Sequence, residues 1–389
     1  MAVLLPVGTR KGLFLLRSDD DRKDWELEGP LLPGWPVYHA IVDPRDGVLY
    51  AATNSFIYGG TVHRSGDLGR SWERAEEIGL PEESGLKLNA TWHVEPGRDS
   101  ELWLGGDPGV LFRSDDGGIT WEVNRGLLEH PTREKWQPGA GGMCCHSNQV
   151  VDETMYIAIS AAGAFRSEDG GDSWTPINKD VAADFHPEKY PEVGQCVHKL
   201  LVHPARPDRL WQQNHCGVYR SDDRGDNWER LDGNGLPSDF GFGLALDAED
   251  PDVAYVIPEV SGEQHFTPDG RLGVYRTGDA GASWQLAANG LPQRAWAAVL
   301  REGFAYDEGG LYFGTQSGTV WSAPRGAGEW IEAVRDLPPI LSVEAAHVCR
   351  GGCAPAGNAC RGGGAEALRA ASRDRRGGLA PAPGRESPV

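Results

Sequence analysis

The chain is 389 residues long, 39% hydrophobic, with 53 glycines, 14 tryptophans and a net charge of −20. That acidity argues against nucleic acid or an anionic membrane surface as a partner, and no apolar run approaches the roughly 18 residues of a membrane-spanning helix. Seven cysteines, an odd number behind an N-terminus without a basic n-region or small-residue cleavage site, point to a reducing cytoplasm.

The chain opens with two β-prone runs, "AVLLPVG" and "KGLFLLR", followed by "RSDDDRKDW", which ends at Trp25. Four short runs then follow in order, "VYHAIVD", "GVLYAAT", "TVHRS" and "SWERA", the third and fourth joined by "RSGDLGRSW" ending at Trp72. The same joint returns as "RSDDGGITW" (Trp121), "RSEDGGDSW" (Trp174), "RSDDRGDNW" (Trp228) and "RTGDAGASW" (Trp284), and in stretched form as "WSAPRGAGEW" (Trp330). Successive tryptophans lie 47, 49, 53, 54, 56 and 46 residues apart. A period near fifty predicts an array of four-stranded units.

The joint suits a tight hairpin. An Asp carboxylate accepts from turn amides, Gly supplies positive φ, Ser or Thr ties the two sides, and Trp plugs the gap between sheets. The motif therefore reads as a structural staple. It resembles the Asp-box or BNR repeats of sialidases and related β-propellers; four of the seven copies match fully, and the resemblance covers residues 1 to about 346. It implies an all-β, seven-bladed β-propeller. The N-terminal runs match the second and third strands of a unit, and no innermost strand precedes them. "PILSVEAA" (Pro339 to Ala346) has no box after it. It is expected to supply the missing inner strand of blade one and close the ring. Residues 347–389, rich in Gly, Ala, Arg and Pro, are expected to be a disordered tail, and Cys349, Cys353 and Cys360 within it lack a standard metal spacing.

Given this fold, the box turns lie at the bottom of the ring, and the loops before each inner strand and between strands two and three lie at the top. Unusual residues collect there: Arg10 and Lys11; Trp35, Tyr38 and His39; Trp92 and His93; Trp136, Cys144, Cys145 and His146; Tyr190, Cys196, His198 and Lys199; His215 and Cys216; Glu259; Trp296 and Gln316; and Glu344. The mouth of the central channel is the expected ligand site.

Three readings compete. In a glycan-binding or glycoside-hydrolysing site, Trp35, Trp92, Trp136 and Trp296 stack on sugars, Arg10, Lys11 and Lys199 hold an anionic group, and His93, His215 and Gln316 add contacts. His39, His146 and His198 with Glu259 or Glu344 do acid–base work, and Tyr38 with Glu259 or Glu344 stands as the nucleophile pair that the sialidase resemblance implies. Arg10, Arg271 and Arg294 are its possible arginine set, although the first blade reads "PVGTRKG" where sialidases carry a Phe-Arg-Ile-Pro-like segment. A second reading is a zinc or copper site at the channel mouth, drawn from His146, His198, Cys196 and His215. His39, His93, His146 and His198 begin four successive inner strands, but their registers differ. All four face the axis only if bulges intervene. The third reading is a protein-binding platform or assembly factor without catalysis.

Overall fold

A computed structural model describes residues 2–348. Seven antiparallel sheets follow one another along the chain. Six are built from four consecutive strands. The first is composite: Ala2–Thr9, Gly12–Ser18 and Glu26–Leu31 come from the N-terminus, and Ile340–Val343 supplies the inner position from the far end of the chain. The pairing Val7 with Val343 and Gly8 with Ser342 closes the ring. Ala346–Val348 adds a second short strand on Ala2–Leu4. The remainder of the expected tail, with Cys349, Cys353 and Cys360, lies outside the described residues.

The core sits between blades, not within one layer. Seven hydrophobic clusters each draw on two neighbouring sheets. One joins Val3, Leu5, Phe14 and Ile340 of blade one to Tyr312 and Val320 of blade seven, so this boundary is packed like any other. Because both faces of each sheet are covered, the middle strands read as continuous apolar runs such as "TMYIAI".

The staples form as the residue types require. In blade three, Asp116 accepts from the backbone of Ile119 and Thr120 and from the Thr120 hydroxyl, while Ser114 Oγ receives Gly118 N at 2.9 Å. The same network recurs around Asp67, Asp169, Asp223 and Asp279. The box tryptophans reach backwards: Trp228, Trp284 and Trp330 donate their indole N–H to the carbonyls of Ile177, Leu231 and Ala287, each in the preceding repeat.

A second device repeats at the other end. Each of six inner strands carries a bulge near its start, leaving one residue unpaired: Leu341, Tyr38, Trp92, His146, His198 and Phe242. A bulge re-aims the side chains on either side of it. Strand polarity puts these bulges at the opposite end of the ring from the Asp-box turns.

Candidate functional site: the bulge layer and the channel beneath it

The bulges set up two tiers. The unpaired residues form the upper one: Tyr38 meets Trp92 edge-on at 4.6 Å, and Arg301 of blade seven reaches across to lie 5.6 Å from the Trp92 ring and 5.2 Å from that of Phe242. The residues that follow form the lower tier. His39 and His93 stack there with centroids 4.0 Å apart, and Lys199 and Glu302 join them through an ion pair of 2.5 Å. Glu302 is brought in by a parallel bridge to Ser342 of the closing strand. All four side chains are buried. Just below, Glu344 Oε1 lies 3.3 Å from His39 Nε2 and Glu95 Oε2 lies 3.3 Å from His93 Nε2.

The charges are strongly coupled. Burial pushes Glu302 up, but Lys199 and His93 outweigh it and hold the carboxyl well below its usual range. Burial likewise works against His93, yet the carboxylates of Glu302 and Glu95 raise it to about 9. His39 goes the other way: burial and the charge of His93 lower it in spite of Glu344. One imidazole of the stacked pair is thus readily charged, the other neutral.

The comparisons with known proteins agree with this architecture. The BNR/Asp-box repeat model matches residues 112–123. A xyloglucanase of Paenibacillus sp is 26% identical over 153 residues, 35% of this chain and 13% of its own length. A xyloglucanase of Acetivibrio thermocellus is 30% identical over 153 residues, 35% of this chain and 16% of its own. The matched stretch is therefore a minor part of these relatives. The GH74 xyloglucanase from Xanthomonas campestris superposes with a TM-score of 0.55 at 18% identity, covering 88% of this chain and 52% of that one. The molecule is a seven-bladed β-propeller with Asp-box turns, and its repeats are similar to those of sialidase-like propellers.

The propeller places the expected site residues in three groups. His39, His93, Lys199 and Glu344 converge in the lower tier, with Tyr38 and Trp92 above them. Arg10 and Lys11 are exposed on the turn between the first two strands, Trp35 is half-buried and stacks at 5.9 Å on the exposed Tyr58, and Trp296 stands 61% exposed beneath Arg294. The third group departs from expectation. Trp136 is buried between blades three and four against Phe165, its N–H on Thr132, and presents no stacking face. Gln316 donates to the Ile340 carbonyl at the ring seam. His146 and His198 occupy bulge positions, where each bonds the next blade: His146 Nε2 to Val197 O at 2.8 Å and His198 Nδ1 to Gly241 O at 2.6 Å. Burial and the Arg301 charge keep both imidazoles well below their usual range. The unequal registers thus reflect two kinds of position, the unpaired bulge residue and the paired residue that follows it.

The expected metal set divides in the same way. Cys196, His198 and His215 bring one ligand atom each within 4.8 Å of one another, without His146. Tyr38 and Glu344 do not meet as nucleophile and base, since Glu344 holds His39, and burial raises the Tyr38 phenol. Glu259 is buried in blade six, accepts from Val299 N at 3.2 Å, and is pushed up to about 8 by burial. Two surface grooves of about 270 and 280 Å³ lie away from the mouth, one at the blade-two box and one beside Pro81 and Arg125.

Three residues of the axial cluster escaped the reading of the sequence. Glu302 and Arg301 lie in "AVLREGF", a stretch without the apolar run that marks an inner strand elsewhere. By strand register Gly303 is the blade-seven counterpart of His39, His93 and Lys199, and Glu302 enters the tier from one residue earlier. Glu95 follows His93 by two residues, and strand alternation alone puts both on one face.

Proposed function

We propose that the top face of this propeller binds glycan chains, with plant-type β-glucans such as xyloglucan as the first candidates. The observation that carries this reading is a difference between the faces. Among the described residues, the large aromatics that stand exposed are Phe56, Tyr58, Phe185, Tyr190 and Trp296. All lie in loops before an inner strand or between strands two and three, hence at the top. Flat apolar rings with a polar edge suit the faces of sugar rings, and the xyloglucanase likeness over a third of the chain supports the same class of ligand. For hydrolysis, one carboxyl must stay protonated while another is ionised. Glu259 at about 8 meets the first condition.

The test is affinity electrophoresis through gels containing xyloglucan, mixed-linkage glucan or no polysaccharide, paired with a reducing-sugar assay. Retardation by a β-glucan that the Tyr58→Ala, Trp296→Ala double variant loses supports the reading. Equal mobility in every gel, with no sugar released, removes it.

A further inference from the structure

The lower tier of the channel carries a feature that a glycan site does not use. His39 Nδ1, His93 Nδ1 and Glu302 Oε1 are each buried and make no hydrogen bond. The three atoms lie within 4.8 Å of one another, and the last two are 3.5 Å apart. A buried polar atom without a partner is costly; His93 Nδ1 and Glu302 Oε1 meet only as a long ion pair and His39 Nδ1 beside them has no partner, so the three converge on room for one shared occupant.

The other polar atom of each residue is already engaged. Glu344 takes the Nε2 edge of His39, and Glu95 takes that of His93. Lys199 takes Oε2 of Glu302. A carboxylate on Nε2 fixes the proton there and leaves the lone pair on Nδ1, which is the outer-shell pattern of metal-ligating histidines. The donors left free are two imidazole nitrogens and one carboxylate oxygen, a set suited to a divalent first-row transition ion with open positions. Charge agrees. The carboxylates of Glu95, Glu302 and Glu344 outnumber Lys199 and the charged form of His93. Spacing agrees as well, since two ligands about 2.1 Å from a tetrahedral ion stand about 3.4 Å apart.

We propose that His39, His93 and Glu302 form a buried site for one divalent transition ion, zinc or ferrous iron, on the axis of the propeller. The ion lies beneath the Tyr38–Trp92–Arg301 tier and takes the place of the proton between His93 and Glu302. Each lone pair lies in its ring plane, and the two planes now differ by 25°. Binding therefore opens the stack. This site is distinct from the Cys196–His198–His215 group, and it stands whether or not the top face binds glycan.

The experiment uses the full chain, stripped with a chelator and titrated separately with Zn²⁺, Fe²⁺ (without oxygen) and Co²⁺. Metal content is read by mass spectrometry, affinity by competition with a chromogenic chelator, and ligand type from the Co²⁺ absorption spectrum. The expected result is about one ion per chain, a spectrum without thiolate charge transfer, and binding lost in His39→Gln and His93→Gln. Glu344→Gln, which leaves all three donors in place, should bind 10–100-fold more weakly, as loss of an outer-shell carboxylate does. Should the histidine variants fail to fold, the wild-type spectrum and the Glu344→Gln affinity carry the test. No binding by the folded wild type overturns the proposal. So does a thiolate band that vanishes in Cys196→Ser, or full affinity in folded His39→Gln and His93→Gln.

Discussion

The two ends of the ring solve different problems with one repeat. At the bottom, five turns hold the same Ser/Thr–Asp–Gly network with nearly the same residues. At the top, six strands share one backbone device, the bulge, yet its unpaired residue is Leu, Tyr, Trp, His, His or Phe. The acids behave oppositely as well. Hydrogen bonds from Ser71 and Ser173 hold the exposed Asp67 and Asp169 at about 2, whereas burial pushes Glu259 up to about 8. Where every copy does the same work, residue and geometry repeat together. Where the copies do different work, geometry repeats and chemistry diverges.

The sharpest way to break this contrast is at Glu302. Glu302→Gln leaves Lys199 buried without its partner, and removing one half of a buried pair costs about 3–5 kcal/mol. The double variant Glu302→Gln, Lys199→Met should recover most of that loss. Urea unfolding followed by tryptophan fluorescence checks both. A single variant as stable as wild type would mean that the pair does not hold the mouth together.

Glu259 comes next, and its sign is opposite to that of the staples. The carboxyl titrates near 4.5 when unfolded and at about 8 when folded. The folded state therefore keeps a proton that the unfolded state has lost, and stability declines as pH rises from 4.5 to 8. Glu259→Gln cannot ionise. It should gain on wild type over that window, by a few kcal/mol at its upper end on the order given by such shifts. Melting temperatures at pH 5 and pH 8 decide it; a variant that tracks wild type at both would show that the carboxyl is not buried as described.

The two ends also differed in how far they could be read in advance. A staple is local: Ser114, Asp116, Gly118 and Thr120 bond within one turn, so spacing along the chain carries the whole geometry. Ring closure was legible for a related reason, because a strand missing at one end matched a surplus strand at the other. The axial cluster is not local. His93 and Glu302 are far apart in sequence and meet only because seven strands share an axis. The bulge that turns His93 inward leaves no mark in residue type, since Tyr38, His146 and Phe242 all serve at the equivalent position. Trp136 misled for the opposite reason: a tryptophan in a long loop looks exposed until the packing against Phe165 is known.

Staple variants should have a smaller effect than Glu302. Asp116→Ala removes acceptors for two backbone amides and two hydroxyls. The remaining turn is open to water, so a loss of about 1–3 kcal/mol is expected. Acid should act on all copies together. Carboxyls held low in the folded state contribute their stability above the unfolded value near 3.8 and lose it as pH falls toward about 2. An acid titration of wild type against Asp116→Ala, followed by circular dichroism, should show the two curves converging below pH 3. Parallel curves would place the acid sensitivity elsewhere.

The smallest structural effect should come from Trp296, where the faces differ most in ligand terms. Its ring rests on Gly270 and beneath Arg294 but stays 61% exposed. Trp296→Ala should therefore change stability by no more than about 0.5 kcal/mol, as exposed substitutions do. Ile119, 40% exposed in the blade-three staple, is the matched control on the bottom face. Truncating one stacking ring should weaken glycan binding about tenfold, equivalent to about 1.4 kcal/mol, while Ile119→Ala leaves it unchanged. Isothermal titration with a soluble xyloglucan oligosaccharide measures both. If the two variants bind equally well, the gathering of exposed aromatics at the top serves some purpose other than holding sugar.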